Sequence, residues 1–298
     1  MCNFLSQYHL LLFPTSPPHL PPECQLLRKE NIAIPACYLL VGILQGLSGP
    51  LINVYPLDLG ATEAQYTTLA SIRSLPASFK LIFGFLSDNF PVFGYRRKSY
   101  MLFGWLLAAI SMGMLLLFTD LTWQTEVYVE DDGSPRLVPS ENAPSIPFLS
   151  LTTLLFGTGF WIADVMGDSL VAEKAKLEPE NARGSIQSSC YSYRFFGLMI
   201  ASPLSTAIYE LFGPKYVIGL LSILPLMILP LVYLLGEVKN APVASTREQC
   251  GEIWTTVCSR AVWQPLGFVY LYNLMQVGNI AWKEFLKTSL GFTSVSMT

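Results

Sequence analysis

Long apolar runs, separated by short polar stretches, set the pattern of this chain. They cover about Ile32–Leu57, Ala64–Ser87, Ser99–Phe118, Pro147–Val171, Ser185–Leu211 and Lys215–Leu235, and a further run, about Val262–Leu290, follows a longer polar interval. Each is close to the roughly 20 residues that an α-helix needs to cross the hydrocarbon core of a bilayer. The pattern predicts an all-α, polytopic membrane protein. Polar and small residues inside the runs recur in steps of three or four. Run one carries Tyr38, Gly42, Gln45, Gly49 and Asn53, and run two carries Arg73, Ala77, Lys80 and Gly84. Run four carries Gly157, Trp161, Asp164 and Asp168, and run five carries Gln187, Cys190, Arg194, Gly197 and Ala201. That spacing places each set on one helix face. In lipid such a face is expected to turn toward protein or a water-filled cavity. Pro76, inside run two, is tolerable in a membrane helix and is a candidate kink.

The expected organisation has four parts: a disordered cytoplasmic tail over 1–31, a six-span bundle over 32–235, a polar cytoplasmic linker over 236–261, and a seventh span over 262–298. The tail holds Leu10–Phe13 followed by PTSPPHLPP. Its apolar piece is too short for a secretory signal and lacks a basic flank, and its prolines oppose a helix. Composition narrows the class further. Hydrophobic residues make up 52% and charged residues 13%, against about 25% charged in soluble domains. The net charge of -3 gives no sign of a nucleic-acid partner, and none is expected. The six cysteines form no CxxC pair and no metal-ligand spacing with histidine, so all are expected as reduced thiols, with no metal and no cofactor. No Asn-x-Ser/Thr sequon occurs, so N-glycosylation is not expected.

Basic residues orient the spans. Of the 18 Lys and Arg residues, Arg28, Lys29, Arg96, Arg97, Lys98, Lys174, Lys176, Arg183, Lys239, Arg247 and Arg260 fall on one side, and only Arg136 and Lys215 lie in loops on the other. This asymmetry predicts a cytoplasmic N-terminus, with the acidic 119–146 loop outside.

The densest signal is Arg73 to Tyr100, RSLPASFKLIFGFLSDNFPVFGYRRKSY. Gly84-x-x-x-Asp88, then Gly94-Tyr95-Arg96-Arg97-Lys98, resembles the loop between the second and third spans of major facilitator transporters. With Lys80 and the longer gap containing Pro91, it is similar to the folate–biopterin transporter branch of that superfamily. IADVMGDSLVAEKAKLEPENARGSIQSSCYSYRFFG resembles the same branch in its paired Asp, its Gly-Ser-x-Gln entry to span five and the Arg within it, and FLKTSLGF resembles that branch's seventh span. The resemblance implies twelve spans in two pseudo-repeated halves around a midplane site. Five of those spans are absent after Thr298, so a truncated gene model or a natural fragment is expected.

A charge at the bilayer centre costs at least roughly 2.5–3.5 kcal/mol on insertion scales, so each one needs a reason. Asp164 and Asp168 either face a cavity, holding a proton or the donor edge of a substrate, or fix helix packing by pairing with Arg194 or Lys80. Arg194 is open as a substrate counter-ion, as the ion-pair partner of Asp164, or as both in different states. Lys80 either takes part in the site or reaches to the interface along its stem. Arg73 is open in the same way, since its stem can reach a neighbouring wet cavity. Trp161 either packs or stacks on a flat heterocycle beside Asp164. Asp88, Arg96 and Arg97 are expected as gate elements at converging helix ends, with Gly84 letting backbones approach.

The resemblance implies secondary transport of folate or a pterin such as biopterin. The chemistry is compatible: a carboxylate can accept the adjacent N–H donors of a pterin, and Arg or Lys suits the carboxylates of folate. Coupling to protons through an Asp fits the same residues. Two other readings compete: a facilitator of the same fold for another small solute, and a non-transporting membrane fragment or regulatory half-protein. No nucleophile–base pair, phosphate loop or metal motif suggests an enzyme. The expected location is a plasma or organelle membrane.

Overall fold

The computed structural model describes residues 21–129, 135–240 and 246–275. Among them, six helices are long and apolar enough to cross a membrane: Ala33–Asp58, Ala64–Asn89, Lys98–Phe118, Ile146–Ala175, Glu180–Phe212 and Pro214–Tyr233, here spans one to six. The protein is all-α and polytopic, as the run pattern predicts, with one added hairpin. The end of the bundle carrying loop 90–97 is called the basic end, and the opposite end the hairpin end. The seventh run contributes the helix Arg260–Met275; its remainder lies outside the described residues.

Local chemistry sets the helix ends. Span two opens with a capping box: Gln65 N–H donates to the Thr62 hydroxyl at 3.3 Å, and Thr62 N–H donates to the Gln65 side chain at 2.9 Å. The span is not one continuous α-helix. It runs α over Glu63–Ser74, tightens to 3-10 over Leu75–Phe79 around Pro76, and resumes α over Lys80–Asn89. Proline has no N–H to donate, so the break falls where the sequence places it. In span six the helix is likewise interrupted between Met227 and Leu229, beside Pro230.

Spans one and five pack backbone against backbone. A Cβ added to Gly42 would lie 1.9 Å from the Arg194 carbonyl oxygen, and one on Gly197 would lie 2.6 Å from that of Leu39. Spans three and four meet in the same way through Gly104 and Gly159. Small residues allow this approach, which larger side chains would prevent. Between the spans lies a core that includes Leu44, Met101, Trp105, Met112, Leu149 and Phe156. Leu81, Leu117 and Leu211 point outward and are exposed, as expected for a lipid-facing surface.

Two stretches depart from the sequence reading. The 119–146 segment, read as a loop, contains strands β1 (Trp123–Val129) and β2 (Pro135–Pro139), paired antiparallel with Trp123 opposite Pro139. The residues of β1 include Trp123, Thr125, Val127, Tyr128 and Val129, types that favour an extended strand. The tail expected to be disordered over 1–31 is folded in its last part. Pro22–Cys24 forms a 3-10 turn, Cys24 and Leu26 are buried, and Gly236 N–H donates to the Glu30 carbonyl at 3.0 Å. Apolar Cys24 and Leu26 bury themselves against the bundle despite the neighbouring prolines. The five cysteines among the described residues are free thiols.

Candidate functional site

Span four brings the first carboxylate to the middle of the bundle. Asp164 is buried, and both of its oxygens are occupied: Lys80 Nζ lies 2.7 Å from Oδ2, and Arg194 Nη1 lies 3.1 Å from Oδ1. Asp168, one turn on and half-buried, lies 3.5 Å from the same Lys80 Nζ and accepts a 2.6 Å hydrogen bond from the Tyr38 hydroxyl. Arg194 Nε donates to the Gln45 side-chain oxygen at 3.2 Å. Lys80 Nζ also sits 4.5 Å from the centroid of the Trp161 ring, within cation–π range. Two carboxylates and two cations from spans two, four and five therefore close a formally neutral network, and span one adds the polar groups that orient it. The two cations differ in enclosure: the side chain of Arg194 is 11% exposed and that of Lys80 is 35% exposed. Arg194 is fixed by two side chains, whereas Lys80 is shared between two carboxylates and a ring.

Arg73 stands apart from this network. Its Nη2 donates to the Ser48 hydroxyl at 2.6 Å, and the backbone beside it is in close contact with Gly157 of span four.

A second cluster forms at the basic end. Arg97 is buried; its Nη2 lies 2.6 Å from Asp88 Oδ1 and 3.1 Å from Glu173 Oε1, and its Nη1 donates to the Ser87 hydroxyl. Spans two, three and four are thereby tied at one guanidinium. Glu237, just past span six, accepts the backbone N–H groups of Arg96 and Arg97 at 2.8 and 2.9 Å through Oε1, and that of Lys98 at 2.8 Å through Oε2. It caps span three with a negative charge where the helix dipole favours one. Asn240 N–H donates to the Gly94 carbonyl at 2.8 Å; Gly94 has φ 81°, and a Cβ there would lie 2.5 Å from the Asn240 side chain. Glu178 caps span five in the same manner, through Gly184 and Ile186.

A family model described as the Major Facilitator Superfamily matches residues 36–298. The chain belongs to the major facilitator superfamily. Among curated relatives of this facilitator is the "Folate-biopterin transporter" of Synechocystis sp., 28% identical over 267 residues that cover 88% of this chain and 49% of that protein. The "Folate transporter 1" of Plasmodium falciparum is 27% identical over 183 residues, covering 61% of this chain and 32% of that protein. The "Probable folate-biopterin transporter 2" of Arabidopsis thaliana is 25% identical over 244 residues, covering 78% and 44%. All three of these relatives are named as transporters of folate or of folate and biopterin, and each is less than 30% identical to this chain. The chain spans about half the length of the curated relatives it matches.

Of the residues the facilitator's sequence singles out, Lys80, Trp161, Asp164, Asp168 and Arg194 come together, while Arg73 lies apart from them. Asp88 pairs with Arg97. Arg96 does not join that pair: its Nε is buried with no hydrogen-bond partner among the described residues. Neighbouring residues point in different directions, so only one of two adjacent arginines can reach Asp88. The close backbone approach expected at Gly84 is not present either, since a Cβ there would meet only Val165, at an ordinary 3.8 Å. Sequence reasoning passes over Tyr38, Gln45 and Ser48 as site residues, although the polar stripe of span one already contains Tyr38 and Gln45. Glu173 and Glu237 carry no sequence signal beyond being acidic residues near helix ends.

Proposed function

We propose that this chain provides one half of a secondary transporter that moves folate or a pterin such as biopterin by alternating access. The observation that carries the reading is the charged network at Asp164, built in mid-bundle around a lysine shared between two carboxylates and lying over an indole ring. A fixed structural pair needs only one cation and one anion. Here Lys80 has a second carboxylate to move to, so a substrate donor edge can take the oxygens that Lys80 leaves. Trp161 offers the flat face that a pterin ring would stack on. A proton placed on either Asp would loosen its hold on Lys80, which supplies a coupling route. The Arg97 cluster with Asp88 serves as the gate at the basic end. The Tyr209 hydroxyl, donating to Asp58 at 2.6 Å, ties spans one and five at the hairpin end.

We place the N-terminus and the 96–98 loop in the cytoplasm and the hairpin outside, on the basic-residue asymmetry. Single cysteines at Thr122 and Arg247, introduced on a cysteine-free background in intact cells, test this with an impermeant thiol reagent. Labelling at 247 and not at 122 reverses the orientation.

Folate or pterin binding by the membrane-inserted chain tests the function, measured for wild type, Asp164→Asn and Arg194→Gln together with membrane abundance and thermal unfolding. Lost binding with retained folding supports the site. Normal binding in either variant removes it. Lost binding with lost folding returns both residues to a packing role, because breaking a buried pair costs about 3–5 kcal/mol.

A further inference from the structure

Arg73 is a cation within span two that has no carboxylate partner among the described residues. The ion pairs among the described residues use Lys80, Arg97, Arg183 and Arg194, and none includes Arg73. Its recorded partner is the Ser48 hydroxyl, whose own proton is directed to the Gln45 carbonyl at 2.9 Å, so that Ser48 presents a lone pair to the guanidinium. A guanidinium has five donors, and one of those of Arg73 is directed to Ser48. The network at Asp164 is formally neutral, so Arg73 leaves the middle of this bundle with one unmatched positive charge. Keeping a charge there costs at least roughly 2.5–3.5 kcal/mol, and one hydroxyl is a weak return for it.

Geometry relates Arg73 to the network. On spans two and four, Arg73 is level with Gly157, and Lys80 is level with Asp164. Seven residues separate the members of each pair along each span, roughly 10 Å of helix rise. Trp161 lies on span four between the two levels. A carboxylate, a flat ring and a guanidinium with no carboxylate partner among the described residues thus follow one another along the bundle.

We infer that Arg73, held by Ser48, is an anion subsite that takes a carboxylate of the substrate, and that it selects ligands with an acidic tail over neutral ones. This rests on the folate or pterin reading above. The heterocycle engages the Asp164 level, an aromatic spacer runs past Trp161, and the tail carboxylate meets Arg73 in the bidentate geometry that guanidinium and carboxylate favour.

The test measures binding of three radiolabelled probes to the membrane-inserted chain, normalised to its abundance: folate, the neutral pterin biopterin, and p-aminobenzoylglutamate, which has the acidic tail without the pterin. Arg73→Gln is expected to weaken folate and p-aminobenzoylglutamate by roughly ten- to hundredfold, the scale of a hydrogen bond to a charged group, and to leave biopterin unchanged. Arg73→Lys is expected to recover part of that loss. Equal weakening of all three probes, or of none, overturns the subsite and makes Arg73 a packing residue. Failure of wild type to bind both folate and biopterin removes the substrate reading. In that case binding of p-aminobenzoylglutamate that depends on Arg73 keeps the anion subsite, and its absence or its independence of Arg73 overturns that too.

Discussion

The network at Asp164 and the cluster at the basic end use the same residue types, but their carboxylates have different partners. At the basic end, Asp88 and Glu173 pair with Arg97, but Glu237 and Glu178 accept backbone N–H groups at the starts of the helices of spans three and five. In mid-bundle, Asp164 and Asp168 accept only from side chains: Lys80, Arg194 and Tyr38. Helix architecture explains the difference. The first N–H groups of a helix are free to bind an anion, whereas those within it are committed to the helix itself. A carboxylate buried halfway along a span can be satisfied only by cations and hydroxyls, and the same partners are chemically able to recognise a solute. Charge near a helix end can be met by backbone donors as well as by side chains of other spans, while charge far from both ends has only side chains of other spans to match it.

The contrast ranks the effects of substitution. Asp164→Asn should cost the most, about 3–5 kcal/mol, because it leaves Lys80 and Arg194 short of their buried partner. Thermal unfolding in detergent or nanodiscs measures it, and a loss no larger than that of the basic-end variants would erase the contrast. Tyr38→Phe removes one hydrogen bond to half-buried Asp168 and should cost about 1 kcal/mol, with the loss unchanged in high salt because the site lies inside the bundle. Glu237→Gln keeps one acceptor oxygen but loses the other together with the charge at the start of span three, so about 1 kcal/mol or less is expected. This effect should shrink as salt rises, since surface charge is screened within about 10 Å at 0.1 M. Proteolysis of loop 90–97 provides the local readout.

The smallest effect concerns Asp120, beside the hairpin. Hydrogen bonds from the Thr122 hydroxyl and backbone N–H, and from Ser140, hold its carboxyl below the usual carboxylate range. A group whose folded value is depressed contributes stability above its unfolded pKa and loses it as pH falls through the folded value. The order of the 119–146 segment should therefore be flat from neutral pH down to the ordinary Asp range and slacken below it. Hydrogen exchange of the Thr122 amide measures this, and the shift should vanish in Asp120→Asn.

Much of the bundle is legible in the sequence, because polar residues spaced by three or four within apolar runs leave little freedom in assigning faces. The Asp164–Arg194 pairing follows from two such faces on neighbouring helices. Lys80 is harder to place: its role depends on spans two and four running parallel with Arg73 level with Gly157, a register that neither run contains by itself. Glu237 contacts residues about 140 positions earlier through their backbone, and backbone donors have no sequence signature. The choice of Arg97 over Arg96 turns on which of two adjacent directions faces Asp88, which only the assembled loop decides. The fold of residues 21–31 is hidden for a different reason: two buried apolar side chains outweigh a proline-rich composition.

The close contact of spans one and five also sets a schedule for synthesis. Gly42 and Arg194 touch in the finished protein but are 152 residues apart in the chain. At about 5–20 residues per second, a ribosome reaches Arg194 roughly 8–30 s after Gly42. For that interval Tyr38, Gln45 and Ser48 are already made, and the helix that covers Gly42 does not yet exist. A span with a polar stripe has to wait in the translocon, or against spans two to four, until its partner emerges. Slow codons or pauses between the two spans would lengthen that wait.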